Sequence, residues 1–166
     1  MKKNSPRTPR PRSEFEEQVI QVDRVTRVVA GGRRMRFRAA VVVGNRKGKV
    51  GMGIAKSDEV ATAVKKAVNQ AKKNLIEVNL FKDTIGHKIK SKFKSSLVLL
   101  MPAYTGTGVI AGGSVRTVVE LAGIANILTK AHRSNNKLNT AYATLQALAE
   151  LRKVEEPQKE EDSAKK

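Results

Sequence analysis

Residues 34–43 alternate between cationic and apolar side chains. The even positions at the start of this stretch are Arg34, Arg36 and Arg38, and the odd positions are apolar throughout: Met35, Phe37, Ala39, Val41 and Val43. Because successive side chains of a strand point to opposite faces of the sheet, the pattern predicts a half-buried strand with one apolar and one arginine face. A row of guanidinium groups on an exposed sheet suits the phosphates of a nucleic acid.

Two further strands are predicted beside the arginine strand. The first, residues 18–29, changes the parity of its apolar positions, which a β-bulge near Asp23–Arg24 would explain. Gly31–Gly32 predicts a tight turn, since glycine accepts positive φ. The third strand, Lys49–Lys56, follows a second basic turn at residues 44–48.

The third strand has apolar residues at one parity and glycines at the other. Val50, Met52 and Ile54 share one face. Gly51 and Gly53 lie on the opposite face, where we expect another part of the molecule to approach the backbone closely.

A helix is predicted from Ser57, a good N-cap, to about Asn74. Apolar residues recur on one side of it at helical spacing: Val60, Val64, Ala67, Val68, Ala71 and Leu75. This side is predicted to cover the apolar face of the three strands. The lysines of the opposite side either contact RNA or are hydrated: Lys65, Lys66, Lys72 and Lys73. Residues 15–76 therefore predict a β-β-β-α domain.

A second domain, β-α-β-α in order, is predicted over residues 96–152. Its elements are the strand Leu97–Met101, a glycine-rich loop at 105–113, a helix capped by Ser114 and ended by Gly123, a strand Ala125–Leu128 and a helix opened by Asn136. Residues 77–95 are predicted to be a basic connector that forms either an edge strand or an extended arm on RNA. Residues 1–14, a basic arm, and 153–166, a tail, are predicted to be disordered. The predicted fold class is α+β.

Charge strengthens the nucleic-acid interpretation. The 166 residues carry 33 Lys and Arg against 15 Asp and Glu, a net charge of +18, and residues 24–94 alone hold 19 basic and 4 acidic residues. Such density on a folded chain is self-repelling, and a polyanion would relieve the repulsion. The absence of cysteine excludes disulfides and thiolate zinc sites and favours a reducing compartment such as the cytoplasm. No apolar run approaches the ~18 residues of a transmembrane helix.

Motifs of nucleotide-dependent enzymes are present only in incomplete form. Residues 44–50 resemble a phosphate-binding loop, but the spacing is one residue short and Val50 stands where Ser or Thr must bind magnesium. The G-x-G-x-x-A match at residues 106–111 lacks an immediate helix and an acidic residue about 20 positions on to hold a ribose. His87 and His132 have no partners at the spacing of a metal site or general base. The sequence therefore predicts no enzyme, no cofactor and no metal.

Three groups of residues form a recognisable signature. They are Gly31-Gly32-Arg33, Phe37, Val43-Gly44, Gly48 and Val50-Gly51-Met52-Gly53; then Pro102-Ala103, Gly106 to Gly113, Arg116, Glu120 and Ala122-Gly123; and last Ser134, Asn136, Asn139 and Ala143-Thr144. With them the chain resembles the bacterial small-subunit ribosomal protein S5 family over about residues 17–151.

The resemblance implies a first domain like a double-stranded-RNA-binding domain without its leading helix, and a second domain with a left-handed crossover. It implies a structural component of the small ribosomal subunit that binds 16S rRNA and supports decoding accuracy and mRNA entry. The loop at residues 27–33 is expected near the decoding region and the spectinomycin site. The implied protein neighbours are ribosomal protein S4, at the glycine-rich loop, and ribosomal protein S8, at the second domain. The implied location is the 30S subunit in the cytoplasm.

Two sets of site residues follow from the pattern and the resemblance. The predicted RNA-binding residues are Arg24, Arg27, Gly31, Gly32, Arg33, Arg34, Arg36, Arg38, Arg46, Lys47, Lys49, Lys56, Lys88, Lys90 and Lys92. The predicted protein interface consists of Thr105, Gly106, Thr107, Gly108, Gly112, Gly113 and Arg116. Ala30 and Lys137 depart from the family pattern, in which a basic residue and a proline are common. An extra-ribosomal regulator that binds double-stranded RNA, the alternative function, would need the first set only.

Overall fold

The computed structural model of the chain describes residues 14–152. The predicted tail at residues 153–166, and all of the predicted arm except Glu14, lie outside the described residues. The strands are β1 (Glu16–Val29), β2 (Gly32–Gly44), β3 (Lys49–Ser57), β4 (Leu75–Glu77), β5 (Leu80–Phe81), β6 (Thr84–Ile85), β7 (Ile89–Phe93), β8 (Ser96–Pro102), β9 (Val109–Ile110) and β10 (Ile127–His132). The helices are α1 (Val60–Lys73), α2 (Gly113–Ala122) and α3 (Lys137–Ala149). The α+β class and the order of the main elements agree with the prediction.

The first sheet is antiparallel with strand order β1-β2-β3-β4. Strands β1 and β2 form a long hairpin that closes between Val29 and Gly32, and Gly32 has a φ of +146°. The bulge in β1 lies between Val19 and Gln21, so the prediction of a bulge at Asp23–Arg24 is wrong. The shift brings half-buried Ile20 against the core.

The second sheet has strand order β7-β8-β10-β9, in which only β9 and β10 run parallel. Strand β10 covers Ile127–His132, later and longer than the predicted Ala125–Leu128, because it pairs along β8 as far as Leu97. Both ends of the predicted connector at residues 77–95 belong to the sheets: Glu77 ends β4, and β7 is an edge strand of the second sheet.

The elements stack in four layers: α1, the first sheet, α2 with α3, and the second sheet. The largest apolar cluster spans the last three layers and joins Ala40 and Val42 of β2 to residues such as Val118 of α2, Leu148 of α3 and Leu100 of β8. A smaller cluster joins the opposite face of β2 to α1. The two domains therefore share one continuous core.

Only Phe37 and Arg38, in the middle of strand β2, are half-buried, which corrects the prediction of a half-buried strand over residues 34–43. Residues 39–44 are buried on both faces, whereas residues 32–36 are exposed. Ala40 and Val42 have the same parity as Arg34, Arg36 and Arg38, so the arginine face becomes an apolar, buried face where the second domain covers it.

Helix α1 packs on the glycine face of β3, and not on Val50 and Met52, which face α2 and α3. A Cβ on Gly51 would lie 2.6 Å from the carbonyl oxygen of Ala71, and a Cβ on Gly53 would lie 2.6 Å from the amide nitrogen of Ala71. The close approach expected at these glycines is present, and the approaching element is the helix backbone itself.

The helix ends agree with only part of the prediction. Ser57 ends β3, and α1 begins at Val60 after Glu59, so Ser57 is not the N-cap. Helix α2 is preceded by Gly112, so the predicted cap at Ser114 is also wrong. At α3 the prediction is confirmed, because the Asn136 Oδ1 accepts hydrogen bonds from the amides of Leu138 and Asn139.

The β2–β3 turn, residues 44–48, closes the C-terminal end of α2. The amide of Arg46 donates to the Leu121 carbonyl at 3.0 Å, and the amide of Gly48 donates to the Ala122 carbonyl at 2.9 Å. The last carbonyls of a helix have no partner within the helix, so this turn satisfies two of them across the domain boundary. Gly123, with a φ of +93°, ends the helix as predicted.

We predict that Gly53→Ala lowers the free energy of unfolding by about 1–3 kcal/mol, because the added methyl group overpacks the contact with α1. Urea unfolding followed by circular dichroism measures the change. The control is Gly113→Ala, a helical position with no atom within 4 Å of the added Cβ, which we expect to be neutral or stabilising by about 0.5 kcal/mol. Equal stabilities for the two variants would contradict the packing of α1 on β3.

Candidate nucleic-acid interface

The arginine face extends over three strands near the tip of the first sheet. Arg34 lies directly opposite Arg27 of β1, and Arg38 lies between Asp23 of β1 and Lys56 of β3. Like charges directly opposite each other destabilise a sheet, so the Arg27–Arg34 pair favours an anion bound over it. Residues 24–38 contain six arginines and no acid.

Two arginines of this face are held by carboxylates. Arg38 donates to the Asp23 carboxylate at 2.6 Å, with both side chains half-buried. Arg36 pairs with Asp58 at 3.0 Å, and this pair is exposed, at 47% and 71% of the two side chains. Exposed pairs contribute little to stability, so a phosphate can displace Asp58 from Arg36 at small cost.

Asp23 orders the inner end of the arginine face. Hydrogen bonds donated by Arg38 and then by Gln21, at 2.6 Å from its Nε2, hold the pKa of the Asp23 carboxyl below its usual value, and partial burial opposes them. The carboxylate therefore stays charged and fixes the direction of the Arg38 guanidinium. The sequence-based analysis missed this role, although the cross-strand pairing that creates it depends only on the hairpin register.

The remaining cations of the face form a shallow cradle at the tip. Arg27, Arg34 and Lys56 have no ion pair with any acid in residues 14–152. Together with Arg36, Val25 and Thr26, they line a depression of about 330 Å³. Unpaired cations that surround an exposed depression suit phosphate oxygens.

The opposite face of the hairpin carries the other two predicted arginines. Arg33 is exposed there beside Val28, a valine with 75% of its surface in solvent. Arg24 directs its guanidinium to the sulfur of Met35. The hairpin tip therefore has cations on both faces of the sheet. Closer to the core, the candidate site is confined to the arginine face.

The basic turn at residues 44–48 lies at the other end of the first sheet. Arg46 pairs with Glu16 at 2.7 Å, and Lys49 pairs with Glu77 at 3.0 Å. Lys47 is exposed, and the Asn45 Oδ1 accepts from its amide. These three cations are separated from the arginine face by the buried half of β2.

The predicted lysines of the connector are not brought to the arginine face. Lys88 precedes β7, and Lys90 and Lys92 lie on the outer face of the second sheet, because Ser91 between them is buried toward α3. The lysines of α1 lie over the opposite face of the first sheet, where Lys72 pairs with Glu17 at 3.6 Å. Because the arginine face is on the other side of this sheet, we expect the lysines of α1 to be hydrated.

The glycine-rich loop is fixed by Asn126, a buried residue that sequence analysis missed. Its Oδ1 accepts from the amides of Gly106 and Gly108 at 3.1 and 3.0 Å. Both glycines have positive φ, and a Cβ at Gly106, Gly108, Gly112 or Gly113 would meet no atom within 4 Å. Asn126 thus fixes Gly106 and Gly108, and the predicted interface residues Thr105 and Thr107 are exposed in the same loop. At the edge of the loop, the Arg116 side chain donates to the Val109 carbonyl.

Residues 14–152 contain no cluster of three His, Cys, Asp or Glu side chains suited to a metal ion. Within the same range no helix has the length and apolarity to cross a bilayer. His87 and His132 lie in separate parts of the structure, before β7 and at the end of β10.

Comparison with known proteins assigns both halves of the chain. The description "Ribosomal protein S5, N-terminal domain" matches residues 15–79, and "Ribosomal protein S5, C-terminal domain" matches residues 91–161. Proteins named small ribosomal subunit protein uS5, from Campylobacter jejuni strains 81-176, 81116 and RM1221, are each 55% identical over 141 residues, which cover 85% of this chain and 96% of the relative.

These matches define the class as that of the ribosomal proteins, structural components without enzymatic activity. Within this class the chain belongs to the ribosomal protein S5 family. The resemblance inferred from the glycine-rich signature is confirmed, and so is the two-domain α+β architecture.

We predict that the stability provided by Asp23 depends on pH. Because its pKa is lower in the folded chain, its contribution is present above the unfolded pKa of about 3.9 and is lost as the pH falls through the folded value. Asp23→Asn should therefore reduce the free energy of unfolding by about 1 kcal/mol near neutrality. This deficit should shrink between about pH 5 and about pH 2.

Urea unfolding across this pH range is the measurement, with Asp58→Asn as the control, since the exposed Arg36–Asp58 pair should contribute less. A deficit for Asp23→Asn that is constant with pH would show that the carboxylate is not the stabilising group.

Proposed function

We propose that the chain is a structural component of the small ribosomal subunit that binds 16S rRNA through the arginine face of its first sheet. The observation that carries the proposal is the row of cations without acidic partners in the described residues: Arg27, Arg34 and Lys56, on three different strands. A-form RNA is recognised mostly through its backbone and shape. A rigid sheet that holds cations at strand spacing suits that mode of binding.

The family relationship supports the assembly into which this surface fits. The relatives from Campylobacter jejuni are named as small-subunit proteins, and nearly their whole length is matched. We place this chain in the 30S subunit on that basis. The roles in decoding accuracy and in mRNA entry belong to the same proposal, and we assign them to the exposed hairpin tip at residues 27–34.

The second domain offers surfaces for protein neighbours. The open glycines at 106, 108, 112 and 113 leave room for a partner backbone, and Tyr104 beside them has 92% of its surface exposed. We propose that ribosomal protein S4 binds there. The outer face of the second sheet combines half-exposed Leu97 and Leu99 with lysines, which suits a second neighbour such as ribosomal protein S8.

We predict that Arg34→Glu weakens binding to 16S rRNA and lowers the slope of log affinity against log salt by about one, because one phosphate contact is lost. The matched control is Lys65→Glu, the same charge class on the exposed side of α1, which should leave the slope unchanged. Filter binding over a salt series measures both, and circular dichroism confirms that each variant is folded.

Sedimentation with small subunits separates the ribosomal role from that of a free double-stranded-RNA regulator. Wild type and Lys65→Glu should sediment with the subunit at moderate salt, and Arg34→Glu should do so less. RNA binding that is independent of salt, or a wild-type chain that binds duplex RNA yet never sediments with the subunit, would contradict the proposal.

A further inference from the structure

A second cationic site lies between the two domains, further along the same sheet face. It is an open cleft of about 810 Å³, within the range of about 300–1,000 Å³ usual for small-molecule pockets. Arg38 and Ile54 of the first sheet form one wall. Phe93, Lys94 and the beginning of α3 form the other wall.

The cleft has a positive charge from both domains. Arg38 enters from β2, Lys94 from the β7–β8 turn and Lys137 from the first turn of α3. The carboxylate of Asp23 lies beside them, is already bonded to Arg38 and also interacts with the charge of Lys137. Lys94 and Lys137 have no ion pair within residues 14–152, so both remain available for an anion.

The floor of the cleft is aromatic. The rings of Phe93 and Tyr142 have centroids 5.2 Å apart at an interplanar angle of 30°, and both are half-buried. The Lys94 Nζ lies 5.7 Å from the centroid of the Phe93 ring. Aromatic rings with an adjacent cation form the usual platform for an unstacked base.

Free amide groups border the same floor. The side chains of Asn135 and Asn139 make no hydrogen bond to any part of the described chain, whereas the Asn136 Oδ1 is used by the start of α3. A side-chain amide both donates and accepts, so it can pair with the edge of a base. The phosphate, the base ring and the base edge of a nucleotide would therefore each meet a suitable group in this cleft.

We propose, on the basis of the RNA-binding function above, that this cleft holds one unpaired nucleotide of an RNA strand. The phosphate lies against Lys94 and Lys137, the base stacks on Tyr142, and Asn135 contacts the base edge. The cleft continues the sheet face of Arg34 and Arg36, so a strand whose duplex part lies on the arginine face can place a bulged nucleotide here. An acidic peptide would use the cations but would leave the rings and the free amides without a role.

The test compares two RNA duplexes of about 16 base pairs, one blunt and one with a single bulged 2-aminopurine, bound to the full-length chain. The wild type should bind the bulged duplex about tenfold more tightly, because Lys137 holds the phosphate and Asn135 holds the base edge so that the base stacks on Tyr142, with a change in 2-aminopurine fluorescence. The double variant Asn135→Ala, Lys137→Gln should lose this preference while its affinity for the blunt duplex stays within about twofold, because both residues are exposed. Lys65→Gln, the control, should keep the preference.

The outcomes distinguish this proposal from the proposed function. Equal affinity of the wild type for both duplexes, or a preference that survives in the double variant, would overturn the nucleotide site while leaving the arginine face intact. Arg34→Glu should weaken both duplexes equally, and failure of the wild type to bind either one would overturn both proposals. A bulged 4-thiouridine should crosslink to the peptide containing Phe93 or Tyr142, and displacement of the RNA by an acidic peptide that needs Lys137 would assign the cleft to protein instead.

Discussion

The structure depends on the burial of one end of one sheet face. Ala40, Val42, Val50 and Met52 pack against α2 and α3, and this contact joins the two domains into a single apolar core. The same face continues toward the hairpin tip as Arg38, Arg36 and Arg34. Where the second domain ends, the face changes from apolar to cationic within one strand repeat. The second domain therefore both anchors the first sheet and sets the length of β2 that remains free for a ligand.

The acids of the first sheet determine which cations are free. Asp23 fixes Arg38 at the boundary with the core, and Glu16 and Glu77 pair with the cations of the distant β2–β3 turn. The tip, in contrast, holds Arg27 opposite Arg34, and neither is ion-paired with an acid in residues 14–152. Such an arrangement is unfavourable for the isolated chain and becomes favourable beside phosphates. The distribution of charge thus points to the tip and the adjoining cleft, and away from the turn that looked equally basic in the sequence.

Much of this architecture could be predicted from local pattern. The alternation at residues 34–38, the glycine turn and the Asn136 cap depend on neighbouring residues alone, and each has its expected structure. Pattern could not show that both faces of residues 39–44 are buried, because one of the covering layers comes from a domain some 70 residues later in the chain. The same limit applies to Gly51 and Gly53. The sequence predicted that another part of the molecule approaches these glycines closely, but it assigned α1 to the opposite face of the sheet.

The Ser57 and Ser114 caps failed because a suitable residue type is common near a helix start without being used. The cleft around Lys94, Lys137 and Tyr142 needed the packing of two domains, and no single stretch of sequence contains it.

We expect RNA phosphates to bind on the exposed continuation of a buried sheet face. Electron cryo-microscopy of small ribosomal subunits containing this chain tests the claim directly, since it locates the guanidinium groups relative to the RNA. We predict that Arg27 and Arg34 lie within hydrogen-bonding distance of rRNA phosphates, about 2.7–2.9 Å between nitrogen and oxygen. A structure in which this face of the hairpin points to solvent, with the RNA on the side of α1, would contradict it.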